Sequence, residues 1–473
     1  MENIVKIRQT RELVNPFGQN KLSAIISISS LPFPVKYSYT VIGKTEDTNF
    51  TYGVDTFSQN FDIPIIGLYA NTVTTVEFVF ETETGEQVFD SLQISTEGQN
   101  YGNIPTQITF TVNDQEMFEN TIGQGWMLGG YGNGYDKNGD LRVANLYPYQ
   151  LWNVKKYDDS FYMADDVVME IDAGARQLYK VNILGEIKLK YQVPEGFFHH
   201  HDVTFDGKGN LYVLATQDPR NPTDEEKDMA LIFKFDEATG EFLWSRDYSS
   251  EFMGRTVLAN TAQNDVHFNT MEYLKDYDIL ITYSRSASAI IALDPDTGDI
   301  IWTVQDPSYD VLIAPEKNFT AIDPDNFIHG NGAHTPFLTT NSVYSTYNTP
   351  TRFALTLFDN RSCCYPDGTA ALKIMEEPDT GFVPADISPR ALVYGIDLDA
   401  KTVELLNSLD IENARTQYMG SVFENGEYYS ATAAMATTVI FYDTNNNIGA
   451  RCDDLSSTYR SRVFTYDQLR SLI

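Results

Sequence analysis

A repeated twelve-residue pattern constrains the fold more than any other feature of the chain. Phe233-Lys-Phe-Asp236-Glu-Ala-Thr-Gly240-Glu-Phe-Leu-Trp244 returns as Ile291-Ala-Leu-Asp294-Pro-Asp-Thr-Gly298-Asp-Ile-Ile-Trp302, with its Asp and its Trp both displaced by 58 residues. Each copy reads as a strand, an Asp-rich turn containing Gly, and a second strand. Weaker copies stand at Lys180-Val-Asn182-Ile-Leu-Gly185-Glu186 and Gly395-Ile-Asp397-Leu-Asp-Ala-Lys-Thr402. Tandem β units of this size mark a β-propeller, each copy being the outer hairpin of a four-stranded blade. Residues 116–473 hold about six such units. A helical solenoid would need long i, i+3, i+4 patterns, and none of useful length is present.

Residues 1–115 follow the period-2 rule instead. Leu22–Ile28, Val35–Val41, Thr75–Phe80 and Gln107–Val112 alternate or cluster β-branched and aromatic residues, separated by turn clusters such as Asn15-Pro-Phe-Gly18 and Thr82-Glu-Thr-Gly-Glu86. The expected architecture is all-β: a small amino-terminal β-sandwich over 1–115, then a six-bladed β-propeller carrying the chemistry over 116–473.

Charge narrows the partners. With 33 Lys+Arg against 66 Asp+Glu the formal charge is −33. Such a surface repels phosphate backbones and anionic lipid, so neither nucleic acid nor membrane is an expected partner. A homodimer is left open. No stretch approaches the ~20 apolar residues of a membrane helix. The opening Met1–Glu12 lacks the apolar region of a signal peptide. Cytoplasmic location is therefore expected, and a periplasmic or secreted one only if a leader had been removed. Cys363, Cys364 and Cys452 cannot build a disulfide framework; the adjacent pair could form only a strained vicinal bridge, which favours reduced thiols.

The six histidines all fall between residues 199 and 334. His201 to His267 is 66 residues and His267 to His334 is 67, and each precedes a polar stretch followed by an apolar strand. Equivalent positions on the innermost strands of successive blades meet at one mouth of the channel, so three imidazoles would converge there. The competing reading is three unrelated structural or solvated histidines. A three-histidine zinc site lacks a His-Glu-x-x-His motif, and Arg285, eighteen residues past His267, is a poor neighbour for a dication. It is a good grip for an oxyanion. Histidines with Arg285 and the Asn269 amide describe an anion pocket, with no metal and no cofactor. His199 and His200 are expected as solvated loop residues flanking it, either of them replacing His201 (His200 first) if the register slips; His329 is expected in a loop.

These residues resemble the bacterial aryl-sulfate sulfotransferases, which use no nucleotide sulfate donor. His267-Phe-Asn269 with Tyr283-Ser-Arg285 is similar to that family's His-x-Asn…Ser-Arg element. His201-Asp202 with Gly209-Asn210 is similar to its His-acidic…Asn-Gly start. Ala333-His334-Thr335 with Leu355-Thr-Leu-Phe-Asp359-Asn360 resembles the segment that holds its nucleophile, and Pro389-Arg390 with Tyr394-Gly-Ile-Asp397 the strand that follows. Asn15-Pro-Phe-Gly18 and Ile63-Pro-Ile-Ile-Gly67-Leu-Tyr-Ala70 are similar to elements of the family's amino-terminal sandwich. The cysteine pair that some exported members carry before the nucleophile has no counterpart here.

The resemblance implies ping-pong transfer from an aryl sulfate donor to a phenolic acceptor. His334 would be the nucleophile that becomes a sulfohistidine. Arg285, His267 and Asn269 would hold sulfuryl oxygens, and His201 would move the phenolic proton. Ser421 would stand for a late sulfate-contacting threonine, and Asp202 would be a structural hydrogen-bond partner. Two rivals remain: a non-catalytic propeller that binds an anion or a protein, and a quinoprotein-like dehydrogenase, for which four tryptophans are few. Sulfatase chemistry is disfavoured because Cys364-Tyr-Pro-Asp-Gly368 lacks the required arginine. Tight turns account for Asp136-Lys-Asn-Gly-Asp140 better than a calcium loop does.

Overall fold

The computed structural model describes residues 10–129, 132–144, 155, 160–165, 175–217, 230–252, 266–308, 312–361, 388–414, 416, 419–453, 455 and 458–473. Within them the repeated turns fold as their composition requires. Asp236 Oδ1 accepts from the Thr239 amide at 2.8 Å and its hydroxyl at 2.7 Å, and Gly240 takes a left-handed φ of 75°. Asp294 accepts from the Asp296 and Thr297 amides ahead of Gly298 at φ 73°. Asp397 accepts from the Ala400 amide, with Lys401 at φ 56° where the other copies have glycine. A short carboxylate that mimics a backbone acceptor nucleates the turn and so aligns the strands beside it. Those strands are outer hairpins: Leu231–Asp236 with Phe242–Asp247, Ala289–Leu293 with Ile300–Gln305, and Arg390–Asp397 with Thr402–Asp410.

Among the described residues, six sheets then follow in chain order as the blades of a propeller. Blade one holds Gly125–Gly129, Asn133–Tyr135 and Leu141–Val143; blade two holds Phe161–Asp165, Gln177–Val181 and Ile187–Gln192. Blades three and four run outward from inner strands Phe197–Phe205 and Phe268–Leu274. Blade five starts at His334–Thr339, followed by Arg352–Asp359, and blade six at Ser421–Asn425. The ring closes where Arg462–Thr465 pairs with Gly125–Gly129, so the end of the chain supplies the inner strand of blade one. Tyrosines fill the gaps between blades and donate to the next blade's turn, Tyr191 to the Glu237 carbonyl and Tyr212 to the Pro295 carbonyl.

One strand departs from expectation. Within Gln107–Val112, expected in the sandwich, Phe110–Val112 pairs with Ile448–Cys452 at the outer edge of blade six. A three-residue strand carries no mark of which sheet it joins, and an open edge with unpaired N–H and C=O groups is available there. The propeller therefore begins before residue 115. Cys452 is buried in this blade, whereas Cys363 and Cys364 lie outside the described residues.

The amino-terminal domain packs the sheet Thr10–Val14, Ser23–Ile28, Phe61–Ile66 on the sheet Phe50–Ser58, Val35–Val41, Val73–Thr82, Gln87–Ser95. Val35, Tyr37, Tyr39 and Val41 alternate inward as period 2 demands. It meets the propeller at Gly67. Arg142, fully buried and ion-paired to Asp136 at 2.8 Å, donates to the Gly67 carbonyl, which commits Asp136 to structure rather than to calcium. Gly67 has φ 78°, and a Cβ there would lie 2.4 Å from the Trp126 ring. Gly67→Ala is expected to cost about 2–3 kcal/mol, read as a lowered midpoint of thermal unfolding.

Candidate active site

Three inner strands break their ladders at the same end. The pairing slips between His199 and Val203, between Phe268 and Thr270, and between His334 and Phe337. Left-handed backbone accompanies each break, at His201 (φ 50°), His267 (φ 49°) and Thr335 (φ 58°). For a residue with a Cβ this costs about 1–2 kcal/mol, and a bulge re-aims its side chains. Three blades carry that cost at one mouth, where the side chains converge. The His201 and His267 ring centroids are 4.9 Å apart. Tyr459 stands 6.1 Å from His201 and 5.9 Å from His334, linking the two rings. The Arg285 amide donates to the His267 carbonyl at 3.0 Å, and the Arg285 charge acts on both His334 and Tyr459.

His334 is held in one tautomer. Asn360 Nδ2 donates to the Met419 carbonyl at 2.8 Å, which turns its Oδ1 toward His334 Nδ1 at 2.6 Å. A carbonyl oxygen can only accept, so Nδ1 carries the hydrogen and Nε2 keeps its lone pair. The Met419 amide, at φ 65°, donates to that lone pair at 3.2 Å. Burial pushes the His334 pKa well below the usual 6.5; Arg285, His267 and Arg460 push the same way, and the Asn360 contact opposes them. The ring is thus uncharged at neutral pH and keeps a lone pair on Nε2. Because protonation would remove the lone pair only well below pH 6.5, a reaction that uses it is expected to keep kcat/KM flat from about pH 8 to about pH 6. An acid limb centred near 6.5 would contradict this. Asn360→Ala is expected to lower kcat about 10–100-fold with little change in KM, since it frees the tautomer without touching substrate.

His200 and His201 form a second pair. His200 Nε2 lies 3.1 Å from the Ala215 carbonyl and therefore donates to it; His200 Nδ1 is then an acceptor for His201 Nδ1–H at 2.9 Å. Burial above all, with His267 next, pushes the His201 pKa well below 6.5. Neither His199 nor His200 is a solvated loop residue. Both are buried in the inner strand of blade three, which neighbouring blades cover, and His199 Nε2 meets the Gln177 carbonyl at 2.9 Å. Burial takes the His199 pKa down to about 4. The unfolded chain therefore binds more protons than the fold below about pH 6.5, and thermal stability is expected to fall on acidification between about pH 6.5 and 4.

Asn269 is fully buried and donates to the Ala333 carbonyl at 2.8 Å, fixing the peptide that precedes His334. The Ser421 hydroxyl is buried without a hydrogen bond among the described residues; in this stretch the contact to His334 comes from the Met419 amide. Asp202 accepts from the Val203 and Met271 amides and pairs with Arg460 and Lys155. His329 lies in a loop, as expected, and packs on Phe327 at 4.6 Å. Among the described residues no group of His, Cys, Asp and Glu is placed to hold a metal ion.

The sequence profile of the arylsulfotransferase (ASST) family matches residues 95–459, and that of the arylsulfotransferase Ig-like domain matches residues 12–97. The chain belongs to the arylsulfotransferase family. No curated protein matched it in sequence. Among solved structures, this arylsulfotransferase is similar to a Lactobacillus plantarum protein at 10% identity (TM-score 0.36), over 91% of this chain and 99% of that one. Kuenenia stuttgartiensis hydrazine synthase is also similar at 10% identity (TM-score 0.31), over 79% and 74%. Such low scores add nothing to what the strand order shows.

The sequence does not point to Asn360, Met419, Tyr459 or Arg460 as members of this candidate site. Asn360 lies within the motif Phe358-Asp359-Asn360, which marks its place but not its contact with His334. Tyr459 and Arg460 had no signal, because a strand that closes a ring belongs to no repeat. They precede Arg462–Thr465 and reach the site only through that closure.

Proposed function

We propose that this protein moves a sulfuryl group from an aryl sulfate to a phenol in two half-reactions through a sulfohistidine at His334, without a nucleotide sulfate. The observation that carries the reading is the buried, uncharged His334 ring, with Nδ1–H tied to Asn360 and the charge of Arg285 beside it. In the first half-reaction the Nε2 lone pair attacks sulfur, and the sulfur–oxygen bond breaks with its electron pair going to the phenolate. In the second, the acceptor oxygen attacks sulfur, its proton passes to His201 Nε2, and the nitrogen–sulfur pair returns to His334.

Arg285 and His267 hold the equatorial oxygens, where charge gathers in the transition state. The Met419 N–H, which meets Nε2 in the resting site, faces a sulfuryl oxygen once Nε2 is bonded to sulfur. Asn269 contributes its remaining amide hydrogen. Because His201 stays uncharged at neutral pH, the donor's leaving group departs as an anion, which suits phenolates and excludes alkoxides.

A nitrophenyl sulfate assay tests the reading. Nitrophenolate release that requires an added phenol, with the sulfated phenol as product, is expected. Release without acceptor would indicate hydrolysis. Release in neither condition would leave a non-catalytic propeller or a dehydrogenase, which dye reduction tells apart.

A further inference from the structure

Arg460 enters the site from the closing end of the ring and is fully buried. Its Nη1 lies 3.0 Å from Asp202 Oδ1 and its Nη2 donates to the Asn269 carbonyl at 3.3 Å. Those partners stand next to His201 and two residues past His267. The adjacent Tyr459 hydroxyl donates to the same Asn269 carbonyl at 3.0 Å, and the Tyr459 ring touches both His201 and His334. One dipeptide thus binds the strands that carry all three histidines. Nε of Arg460 has no hydrogen-bond partner among the described residues. A buried, incompletely bonded cation is costly where an apolar residue would fit.

We propose that Arg460, paired with Asp202, is a positioning residue of the site: it clamps the His201 and His267 strands together and sets a fixed positive charge beside the His201 and His334 rings. The inference rests on His334 being the nucleophile, but its charge effect can be read without turnover. The groups facing His334 are Arg285, His267 and Arg460, with uncharged Asn360; those facing His201 are His267, His200, His334 and Arg460. Arg460 itself faces Asp202 and Tyr459, and Lys155 bridges Asp202 to Glu272 at 3.3 and 2.8 Å. A cation here opposes protonation of both rings, and the carboxylate moderates it.

The test compares Arg460→Met, Arg460→Lys and Asp202→Asn with the wild-type chain. The protonated fraction of the His334 ring at about pH 5 is read by nitrogen NMR, the signal being assigned by its loss in His334→Gln. Arg460→Met is expected to raise that fraction about tenfold, a shift of about one pH unit. Arg460→Lys is expected to leave it near wild type, and Asp202→Asn to lower it. In turnover, Arg460→Met and Arg460→Lys both lose about tenfold in kcat with KM little changed, but only Arg460→Met moves the acid limb upward. An unchanged His334 fraction in folded Arg460→Met, or movement of Asp202→Asn in the same direction, overturns the proposal. If Arg460→Met fails to fold, the Lys and Asn variants decide: the proposal stands only if Asp202→Asn lowers the fraction while Arg460→Lys leaves it near wild type. If the wild-type chain transfers no sulfuryl group, the functional reading fails while the NMR comparison still decides the charge effect.

Discussion

Sulfuryl transfer by His334→Ala is expected to fall by about 10⁴-fold or more, with no recovery at any pH. Methyl in place of imidazole leaves no atom that can bond to sulfur. The remaining groups could still bind the donor, so KM, if measurable, changes far less than kcat. Incubating the wild-type enzyme with donor alone, followed by peptide mass mapping, is expected to place one added sulfuryl group on His334. The variant should carry none. His334 is buried, so its removal also opens a cavity; His334→Gln, of closer volume, separates lost chemistry from lost packing and should be equally inactive. Substantial transfer by a folded His334→Gln enzyme would remove the covalent step.

Arg285→Ala is expected to lower kcat/KM about 10²–10³-fold, the loss that follows removal of one oxyanion donor. The effect should appear in donor cleavage and in acceptor sulfation alike, because the proposed mechanism holds the same equatorial oxygens in both half-reactions. Arg285→Lys should recover only part, since an ammonium keeps the charge but not the paired N–H geometry. The Arg285 charge also helps keep His334 unprotonated. Arg285→Ala should therefore raise the acid limb of the pH profile as well as lower the plateau. A variant with wild-type kcat/KM and an unshifted limb would place the sulfuryl oxygens elsewhere.

The outer hairpins were legible because their turns are local. An Asp side chain accepting from amides two and three residues on, followed by a left-handed residue, needs no distant partner. The histidine register was legible for a different reason: blades related by rotation bring nearly equal spacings of 66 and 67 residues to one place. What the spacing could not show is how the rings are turned. The bulges at His201, His267 and His334 depend on the neighbouring strand, and so does the burial of His199 and His200. The Asn360 contact spans 26 residues and depends in turn on the Met419 carbonyl, 59 residues further on.

The amino-acid sequence by itself determined the repeated β hairpins, the all-β class and the three-histidine register with its arginine, because these follow from side-chain chemistry over short distances or from periodicity. The tertiary structure alone decided which tautomer His334 holds and that Asp202 is neutralised by Arg460. It also decided that Tyr459, 125 residues beyond His334, lies against it. The placement of Tyr459 and Arg460 depends on ring closure by Arg462–Thr465. Pairing between the two ends of a chain is set by the free energy of the whole assembled ring, which no segment carries alone.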